Sequence, residues 1–398
     1  MSEKTENDKP MGVDKTKYYK GQNNEIMREM KELMSGNRLK FLIGAGCSVD
    51  AGLPLMKKLT EDILKKLESD KTMDRIRQVF KGEKHQSIER YMSVIVGYQS
   101  IIDKMEESGV SDPSVMCGDS NEKVKAADLD ALLNKIKHEI IKAIEGTAEE
   151  KSAKEKLIDI DSHREFVRGI HKHLSAGKKG KSVDYFVLNY DTLIEDALGL
   201  EEIPYQDGFE GSATGWWNPD LLKEKSDCAR VFKLHGSIDW RLLNKESSTP
   251  KRIRKQIATE EQTRVLIYPA STKYQEVQRD PFDTMITNMR NTLSESKQTV
   301  LIICGYSFSD SHINAVIEDG IRASDEKLTV MAFINDNNTM KRLERWRNSD
   351  ISDQLKIYAP NGVFHGKKDE GGKNPKGEGS FEWGEFKTLS GLIGGDEG

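Results

Sequence analysis

Polar side chains with catalytic chemistry follow two predicted strands of the sequence. Asn189 and Asp191 come directly after the run Tyr185–Leu188. His235 follows the run Arg230–Leu234. An imidazole changes its charge near neutral pH and can act as a general base, and an amide both donates and accepts hydrogen bonds. We interpret Asn189, Asp191 and His235 as the candidate catalytic residues, with Asp191 orienting Asn189 or stabilising positive charge.

A glycine-rich turn follows another apolar run, Phe41–Ile43, and reads Gly44-Ala45-Gly46-Cys47-Ser48. Glycine lets the backbone approach a ligand closely, and the first turn of a helix accepts a proline such as Pro54. A helix N-terminus beside a glycine turn is a ready site for phosphate. The same pattern also fits a tight strand-to-helix turn that binds no ligand.

Further apolar runs alternate with segments of helical periodicity. Val265–Tyr268, Val300–Cys304 and Leu328–Ile334 have the length and composition of buried strands. Such alternation predicts an α/β protein with a Rossmann-like parallel sheet, whose ligands bind beyond the carboxyl ends of the strands. We therefore expect five polar segments to meet at one crevice: Gly44–Ser48, Asn189–Asp191, His235–Ser237, Gly305–Asp310 and Asn335–Asp336.

Each polar segment also has a purely structural interpretation. Asn189 and Asp191 could cap the helix that follows them, because short polar side chains are favoured at helix starts. The pair His235-Gly236 could simply end a strand. Ser307 and Asp310 could cap a helix that begins at Ser311. The order of all five segments at strand ends favours a shared site.

The chain divides by composition into four parts. Residues 1–22 are polar and predict a mobile arm, and residues 23–68 with 177–360 form the sheet-containing domain. Residues 69–176 carry apolar stripes at helical spacing and predict a helical insertion. Residues 361–398 form a partly mobile tail, in which Phe381–Phe386 could return as a strand. We interpret residues 244–263 as a surface loop.

The histidines and cysteines do not indicate a metal site. Five histidines of the insertion are interpreted as solvated or structural: His85, His138, His163, His171 and His173. The four cysteines lie far apart and form no Cys-x-x-Cys pair, so neither a zinc module nor a disulfide framework is predicted. A net charge of −5 does not favour nucleic-acid binding. With no membrane-spanning run or signal core, we expect a cytoplasmic protein without membrane contact.

The motifs together resemble the sirtuin superfamily over roughly residues 38–340, outside the insertion. The resemblance implies that NAD binds here, with Asn189, Asp191 and His235 facing the nicotinamide ribose. The phosphates and the adenosine would be held by two further groups of residues. These implied NAD-binding residues are Gly44, Ala45, Gly46, Ser48, Ala51, Gly52, Pro54, Gly305, Ser307, Asp310 and Asn335.

Departures from the deacylase sirtuins point to one branch of that superfamily. Leu55-Met56-Lys57 stands where the deacylases have Asp-Phe-Arg, and no zinc module is present in the sequence. The segments Val231–Ser237 and Gly305–Asp310 are typical of bacterial sirtuin-like NAD hydrolases of antiphage defence. The resemblance implies NAD as substrate, no metal and a homo-oligomer. By size and family analogy, it implies assembly with a HerA-type translocase ATPase.

Two other functions stay open at the level of sequence. A protein deacylase or ADP-ribosyltransferase would need a peptide cleft. A non-catalytic module would bind NAD or ADP-ribose without forming a product. The hydrolase interpretation makes His235 the general base and Asn189 the residue that orients the ribose and a water molecule.

Overall fold

A computed structural model describes twelve segments of the chain. They are residues 28–35, 38–81, 86–118, 122–145, 158–174, 183–223, 228–243, 249–254, 263–266, 280–360, 362–371 and 384–394. The predicted arm at residues 1–22 lies outside these segments.

The strands within the described segments are numbered in chain order. They are β1 (Arg38–Ile43), β2 (Val115–Met116), β3 (Lys123–Val124), β4 (Asp184–Val187), β5 (Tyr205–Gln206), β6 (Phe209–Gly211), β7 (Thr214–Trp217), β8 (Ala229–Lys233), β9 (Gly236–Leu242), β10 (Lys251–Ile253), β11 (Thr263–Leu266), β12 (Thr299–Cys304), β13 (Leu328–Phe333), β14 (Leu355–Ala359), β15 (Gly362–His365) and β16 (Lys368–Gly371).

The helices are numbered in the same way. They are α1 (28–35), α2 (Met56–Lys66), α3 (Lys71–Gln78), α4 (Ile88–Glu107), α5 (Ala126–Glu145), α6 (Asp161–Arg168), α7 (Leu193–Leu200), α8 (Phe282–Leu293), α9 (Ser311–Ala323), α10 (Asn337–Arg347) and α11 (Phe386–Gly394). In the described segments, no helix combines the length and apolar character needed to cross a bilayer.

The main sheet has the strand order β16-β15-β14-β13-β12-β1-β4-β8-β5 over the described residues. Its strands run parallel from β5 across to β14, which confirms the predicted α/β class with a parallel-dominated sheet. The strand β1 is central, because the chain continues to β4 and β8 on one side and to β12 and β13 on the other. Ligands of such sheets bind beside a reversal of this kind, at the carboxyl ends of the strands.

Both faces of the sheet are covered by helices. Successive strand residues alternate between two apolar cores, so that Leu42 and Phe186 pack on one face and Phe41 and Tyr185 on the other. The first core includes residues of α8, α9 and α10, and the second includes residues of α6, α7 and α11. Burial on two faces is why these strands read as continuous apolar runs in the sequence.

An antiparallel sheet stands where the sequence suggested a loop and a further core strand. Its order is β11-β9-β10-β7-β6. Val265 and Leu266 belong to β11, which pairs with β9 and not with the parallel sheet, so their predicted placement is wrong. Lys251–Ile253 is a strand within the predicted surface loop. The strands of this sheet mix polar and apolar residues, and most of them are too short for an alternating pattern to be recognised.

The tail also differs from expectation. The strands β15 and β16 form a hairpin that extends the main sheet beyond β14, within the segment predicted to be partly mobile. Phe386 begins the helix α11 and does not lie in a strand. The hairpin turn at Gly366, with φ of 55°, is a position where glycine relieves backbone strain.

The insertion has an apolar core of its own. Residues of α2, α3, α4 and α5 pack together in it, and Val115 and Val124 of the ribbon β2–β3 contact the same core. The helix α2 joins this core although its sequence precedes the predicted insertion. Phe166 and Val167 of α6, in contrast, pack against the sheet. The expected domain boundaries themselves stay predictions.

A row of buried charges crosses the middle of the main sheet. The Nζ atom of Lys40 lies 2.6 Å from Oδ2 of Asp184. The Nε atom of Arg230 lies 2.7 Å from Oδ1 of the same carboxylate, and its Nη2 donates to Oδ2 at 2.8 Å. Burial opposes ionisation of Asp184, but Lys40 and Arg230 outweigh this effect and hold the pKa of the carboxyl below its usual value.

Candidate functional site

The loops after β1 and β12 are in direct backbone contact. The amide of Gly46 donates to the carbonyl oxygen of Gly305 at 2.9 Å, and the amide of Gly44 donates to that of Cys304 at 2.9 Å. A Cβ atom at Gly46 would lie 2.7 Å from the Cα of Gly305. Since Gly305 also has a φ of 65°, both glycines are required by this contact. The glycines therefore bring two of the predicted NAD-binding segments together.

The side chain of Asn189 reaches into the glycine turn. Its Nδ2 atom donates to the carbonyl oxygen of Gly44 at 3.0 Å and to Oγ of Ser48 at 2.7 Å. The hydroxyl of Ser48 in turn donates to Oδ2 of Asp191 at 2.7 Å. Asn189, Ser48 and Asp191 are all buried. A serine of one predicted segment thus links the amide and the carboxylate of another.

One polar atom of this group has no hydrogen-bond partner. The side-chain oxygen Oδ1 of Asn189 is buried and unpaired among the described residues. Buried amide oxygens are normally satisfied, so an unpaired one indicates a missing donor. Because Nδ2 is already engaged by Gly44 and Ser48, the amide is fixed in orientation. The free oxygen can accept a hydrogen bond from a ligand hydroxyl or from water.

His235 lies beside Asp310. Its Nε2 atom is 3.2 Å from Oδ2 of Asp310, and both side chains are buried. The other oxygen of Asp310, Oδ1, accepts from the amides of His312 and Ile313 at the start of α9. The capping interpretation of Asp310 is therefore correct, and the same carboxylate contacts the imidazole. Such a carboxylate can orient the ring and stabilise the charge that it gains on accepting a proton.

Further bonds connect the loop of Asn189 to the strand that follows His235. The amide of Ile238 donates to the carbonyl oxygen of Tyr190 at 2.9 Å, and Oγ of Ser237 donates to the same oxygen at 3.4 Å. The N-cap of α7 is Thr192, so the predicted capping role of Asp191 is wrong, but Oδ1 of Asp191 accepts from the amide of Leu193 at 3.2 Å. Two of the catalytic candidates therefore sit on segments that are held to one another.

The remaining predicted binding residues lie around this centre. Ala45 and Gly52 are exposed, Ala51 is buried, and Pro54 is half-buried. The helix α2 begins at Met56 with Leu55 as its N-cap, so the predicted place of Pro54 in the first helical turn is wrong. The proline stiffens the chain just before the helix. Gly52 ends its turn with a φ of 88° and donates to Val49.

Ser307 and Asn335 are both exposed at the carboxyl end of the sheet. The hydroxyl of Ser307 forms a hydrogen bond with the hydroxyl of Ser309 at 2.8 Å. The main-chain carbonyl oxygen of Ser307 accepts from Nη1 of Arg342 at 2.6 Å. Ser307 therefore does not cap α9, and its hydroxyl lies at the surface. Gly384 passes directly over Asn335, since a Cβ atom at Gly384 would lie 1.8 Å from Oδ1 of the asparagine.

The helix α11 begins at the glycine turn. The amide of Lys387 donates to Oδ2 of Asp50 at 2.8 Å, so a residue of the predicted binding segment satisfies the first turn of this helix. Phe386 is buried, and its ring lies 4.7 Å from that of His163. The segment 384–394 therefore packs on the loop after β1 and on the end of β13.

His163 is buried beside these residues and was not predicted to belong to the site. Burial lowers its pKa to about 4, against the attraction of Asp191 and Asp50. Its Nδ1 atom has no partner among the described residues. Sequence reasoning grouped it with the structural histidines, because its neighbours in the chain are charged. The structure packs it against Phe386, a contact that no local pattern could have revealed.

The insertion contacts the same loops. Tyr190, between Asn189 and Asp191, is buried in the apolar core of the insertion, and Ile238 packs against that core.

No cluster of three or more His, Cys, Asp or Glu side chains suited to a metal ion occurs within the described segments. The arrangement can therefore present a fixed amide oxygen and an imidazole paired with a carboxylate.

A match to a family model agrees with part of the sequence resemblance. Residues 184–353, less than half of the chain, match a family model described as a SIR2-like domain. A solved structure of Sir2Tm bound to a propionylated peptide is similar over 81% of this chain and 99% of that chain, with 12% sequence identity and a TM-score of 0.37. Comparison with curated proteins found no match.

Proposed function

From the match to a SIR2-like domain, we propose that the chain is an NAD⁺ hydrolase, which cleaves NAD⁺ to nicotinamide and ADP-ribose. The matched residues 184–353 include every catalytic candidate and the predicted binding residues after β12 and β13. The glycine turn lies outside the match, but its contact with Gly305 and its bond to Asn189 join it to the matched part.

The observation that carries the proposal is the unpaired Oδ1 of Asn189. An acceptor held rigidly by Gly44 and Ser48 is suited to a hydroxyl of the nicotinamide ribose or to the attacking water. A lone structural asparagine would be expected to satisfy both ends of its amide. The orientation of the amide, with its oxygen left for a donor, supports a role in binding substrate.

His235 and Asp310 are the general base of the proposed reaction and its partner carboxylate. Cleavage of an N-glycosidic bond passes through an oxocarbenium-like sugar, and the enzyme must deliver a nucleophile to it. His235 would remove a proton from the water or from a ribose hydroxyl, and Asp310 would stabilise the resulting imidazolium. Asp191, 2.7 Å from Ser48, would keep Asn189 in place through that hydroxyl.

The proposed biological role is depletion of NAD⁺ in bacterial antiphage defence. We propose that a cytoplasmic homo-oligomer carries it out and that assembly, including a HerA-type ATPase partner, restrains turnover. The contact of Tyr190 with the insertion core supports a link between assembly and the site, because a shift of the insertion would move the loop of Asn189.

The test is incubation of the purified protein with NAD⁺ and separation of the products by chromatography. Release of nicotinamide and ADP-ribose in equal amounts supports the proposal, and His235→Ala and Asn189→Ala should each abolish it. Binding of NAD⁺ without product, both alone and with a HerA-type ATPase, would instead support a non-catalytic module. Turnover only with an acylated peptide would support a deacylase.

A further inference from the structure

A buried ion pair contacts the loop that carries Asn189 and Asp191. Lys233 on β8 and Glu195 on α7 are almost completely inaccessible to solvent, and their Nζ and Oε1 atoms are 3.5 Å apart. Lys233 is two residues from His235, and Glu195 is four residues from Asp191. The pair thus joins the strand that leads to the imidazole with the helix that follows the asparagine loop.

Lys233 also contacts the loop itself. Its Nζ atom donates a hydrogen bond to the main-chain carbonyl oxygen of Asp191. The side chain of Asp191 is directed elsewhere, to Ser48 and to the amide of Leu193. The lysine therefore holds the backbone of the asparagine loop, and leaves the carboxylate of Asp191 to its contact with Ser48.

The pair is poorly suited to a role in stability alone. Burial raises the pKa of Glu195 to about 7, against the attraction of Lys233 and with the repulsion of Asp239 and Asp196. The second oxygen of Glu195, Oε2, has no partner among the described residues. Replacing a buried ion pair by neutral side chains of similar volume is often neutral or stabilising. Stability alone therefore does not account for a buried lysine at the end of β8.

We propose that Lys233, held by Glu195, is a positioning residue that fixes the Asn189–Asp191 loop relative to His235. This inference rests on the proposed function, and concerns how that site is assembled. Lys233 does not touch substrate. It sets the distance between the amide that orients the ribose and the imidazole that moves the proton, and a displacement of about 1 Å in such a geometry can cost 10²-fold in rate.

The experiment removes both charges together, in the double variant Lys233→Met/Glu195→Gln. We expect a thermal midpoint close to that of the unmodified protein, a kcat for NAD⁺ hydrolysis about 10²-fold lower, and a KM within about threefold. Glu195→Gln alone keeps the lysine and its bond to Asp191, and should lose far less activity. An unchanged kcat in the folded double variant would overturn the inference.

A control pair, in which the lysine is buried and its partner carboxylate is exposed, is available on the other side of β1 from β8. Lys356 on β14 is also a buried strand lysine, and its Nζ atom lies 2.5 Å from Oε1 of Glu29. The double variant Lys356→Met/Glu29→Gln should leave kcat unchanged. Should circular dichroism find the Lys233→Met/Glu195→Gln protein unfolded, Lys233→Gln/Glu195→Gln takes its place with the same expectations, because it keeps a polar pair in the interior.

Crystal structures separate the failure of this inference from failure of the proposed function. If the unmodified protein does not hydrolyse NAD⁺ under any condition, the proposed function is wrong. The inference is then decided by comparing the two structures. It stands if the carbonyl of Asp191 and the ring of His235 move apart in the double variant, and it is overturned if their positions coincide.

Discussion

The imidazole of His235 and the carboxylate of Asp310 are 3.2 Å apart, although 75 positions separate them in the sequence. The two oxygens of Asp310 have different partners. Oδ1 accepts hydrogen bonds from amides in the first turn of α9, and Oδ2 faces the ring. The contact couples the end of β8 to the loop after β12. It also allows the two tasks of one carboxylate to be separated by substitution.

Asp310→Asn should lower kcat for NAD⁺ hydrolysis by about 10²-fold with little change in stability. An asparagine caps a helix as well as an aspartate does, but it lacks the charge that stabilises a protonated imidazole. Steady-state kinetics and a thermal melt would measure the two effects. Asp70→Asn is the control, because Asp70 caps α3 through Thr72 and Met73 in the insertion. Equal kcat values for Asp310→Asn and the unmodified protein would contradict the pairing.

Ser48→Ala should reduce turnover by about 10²-fold and leave the fold intact. The hydroxyl accepts from Asn189 and donates to Asp191, and without it the amide keeps only its bond to Gly44 and is held less firmly in its productive orientation. The measurement is kcat together with a circular dichroism spectrum. Ser93→Ala, which removes a hydroxyl that donates to the carbonyl oxygen of Glu89 within the helix α4, serves as the comparison. Full activity in Ser48→Ala would refute the role of this bridge.

Asp184→Asn should destabilise the protein by about 3–5 kcal/mol, because it leaves two buried cations without their shared carboxylate. Urea denaturation would measure the change. The pKa of Asp184 is lowered by folding, so its contribution is complete above the unfolded value and is lost as the pH falls through the folded value. Asp350→Asn, at an exposed pair with Arg322, should leave the free energy of unfolding unchanged.

His163 should make the protein less stable in mild acid. Its pKa is about 4 in the folded chain, against an ordinary value of 6.5 for a solvated histidine, so the unfolded state binds the proton first as the pH falls. The free energy of unfolding should therefore decrease between about pH 6.5 and pH 4, by at most about 3 kcal/mol from this residue. His163→Gln should show a shallower decrease in the same titration. Parallel curves for the two proteins would exclude this contribution.

The sequence predicted the strands that carry the site because they are buried on both faces. The runs ending at Ile43, Leu188 and Cys304 needed only their apolar character to be recognised. The polar residues after them then acquired meaning from the geometry of a parallel sheet. The bonds of Asn189 to Gly44 and Ser48 agree with the expectation that two of these segments meet. The catalytic and binding roles of the residues remain predictions.

Other features depended on contacts between distant parts of the chain. Nothing near Asp310 in sequence indicates that it faces His235, and nothing near His163 indicates that it is buried against Phe386. The antiparallel sheet consists of short strands whose pairing is decided by β9, a strand that sequence reasoning did not find. The helix α11 was missed because its start is stabilised by Asp50, more than 300 positions earlier.

The charged row of Lys40, Asp184 and Arg230 has a consequence for the loops at the carboxyl ends of its three strands. These residues are direct ladder partners on three adjacent parallel strands, so a slip by one position would push a lone charge into the apolar layer. The row therefore fixes the register of the three strands. Gly44, Asn189 and His235 follow the three charged residues by four or five positions. The register of the strands therefore also fixes the positions of these three residues relative to one another, without any contribution from substrate.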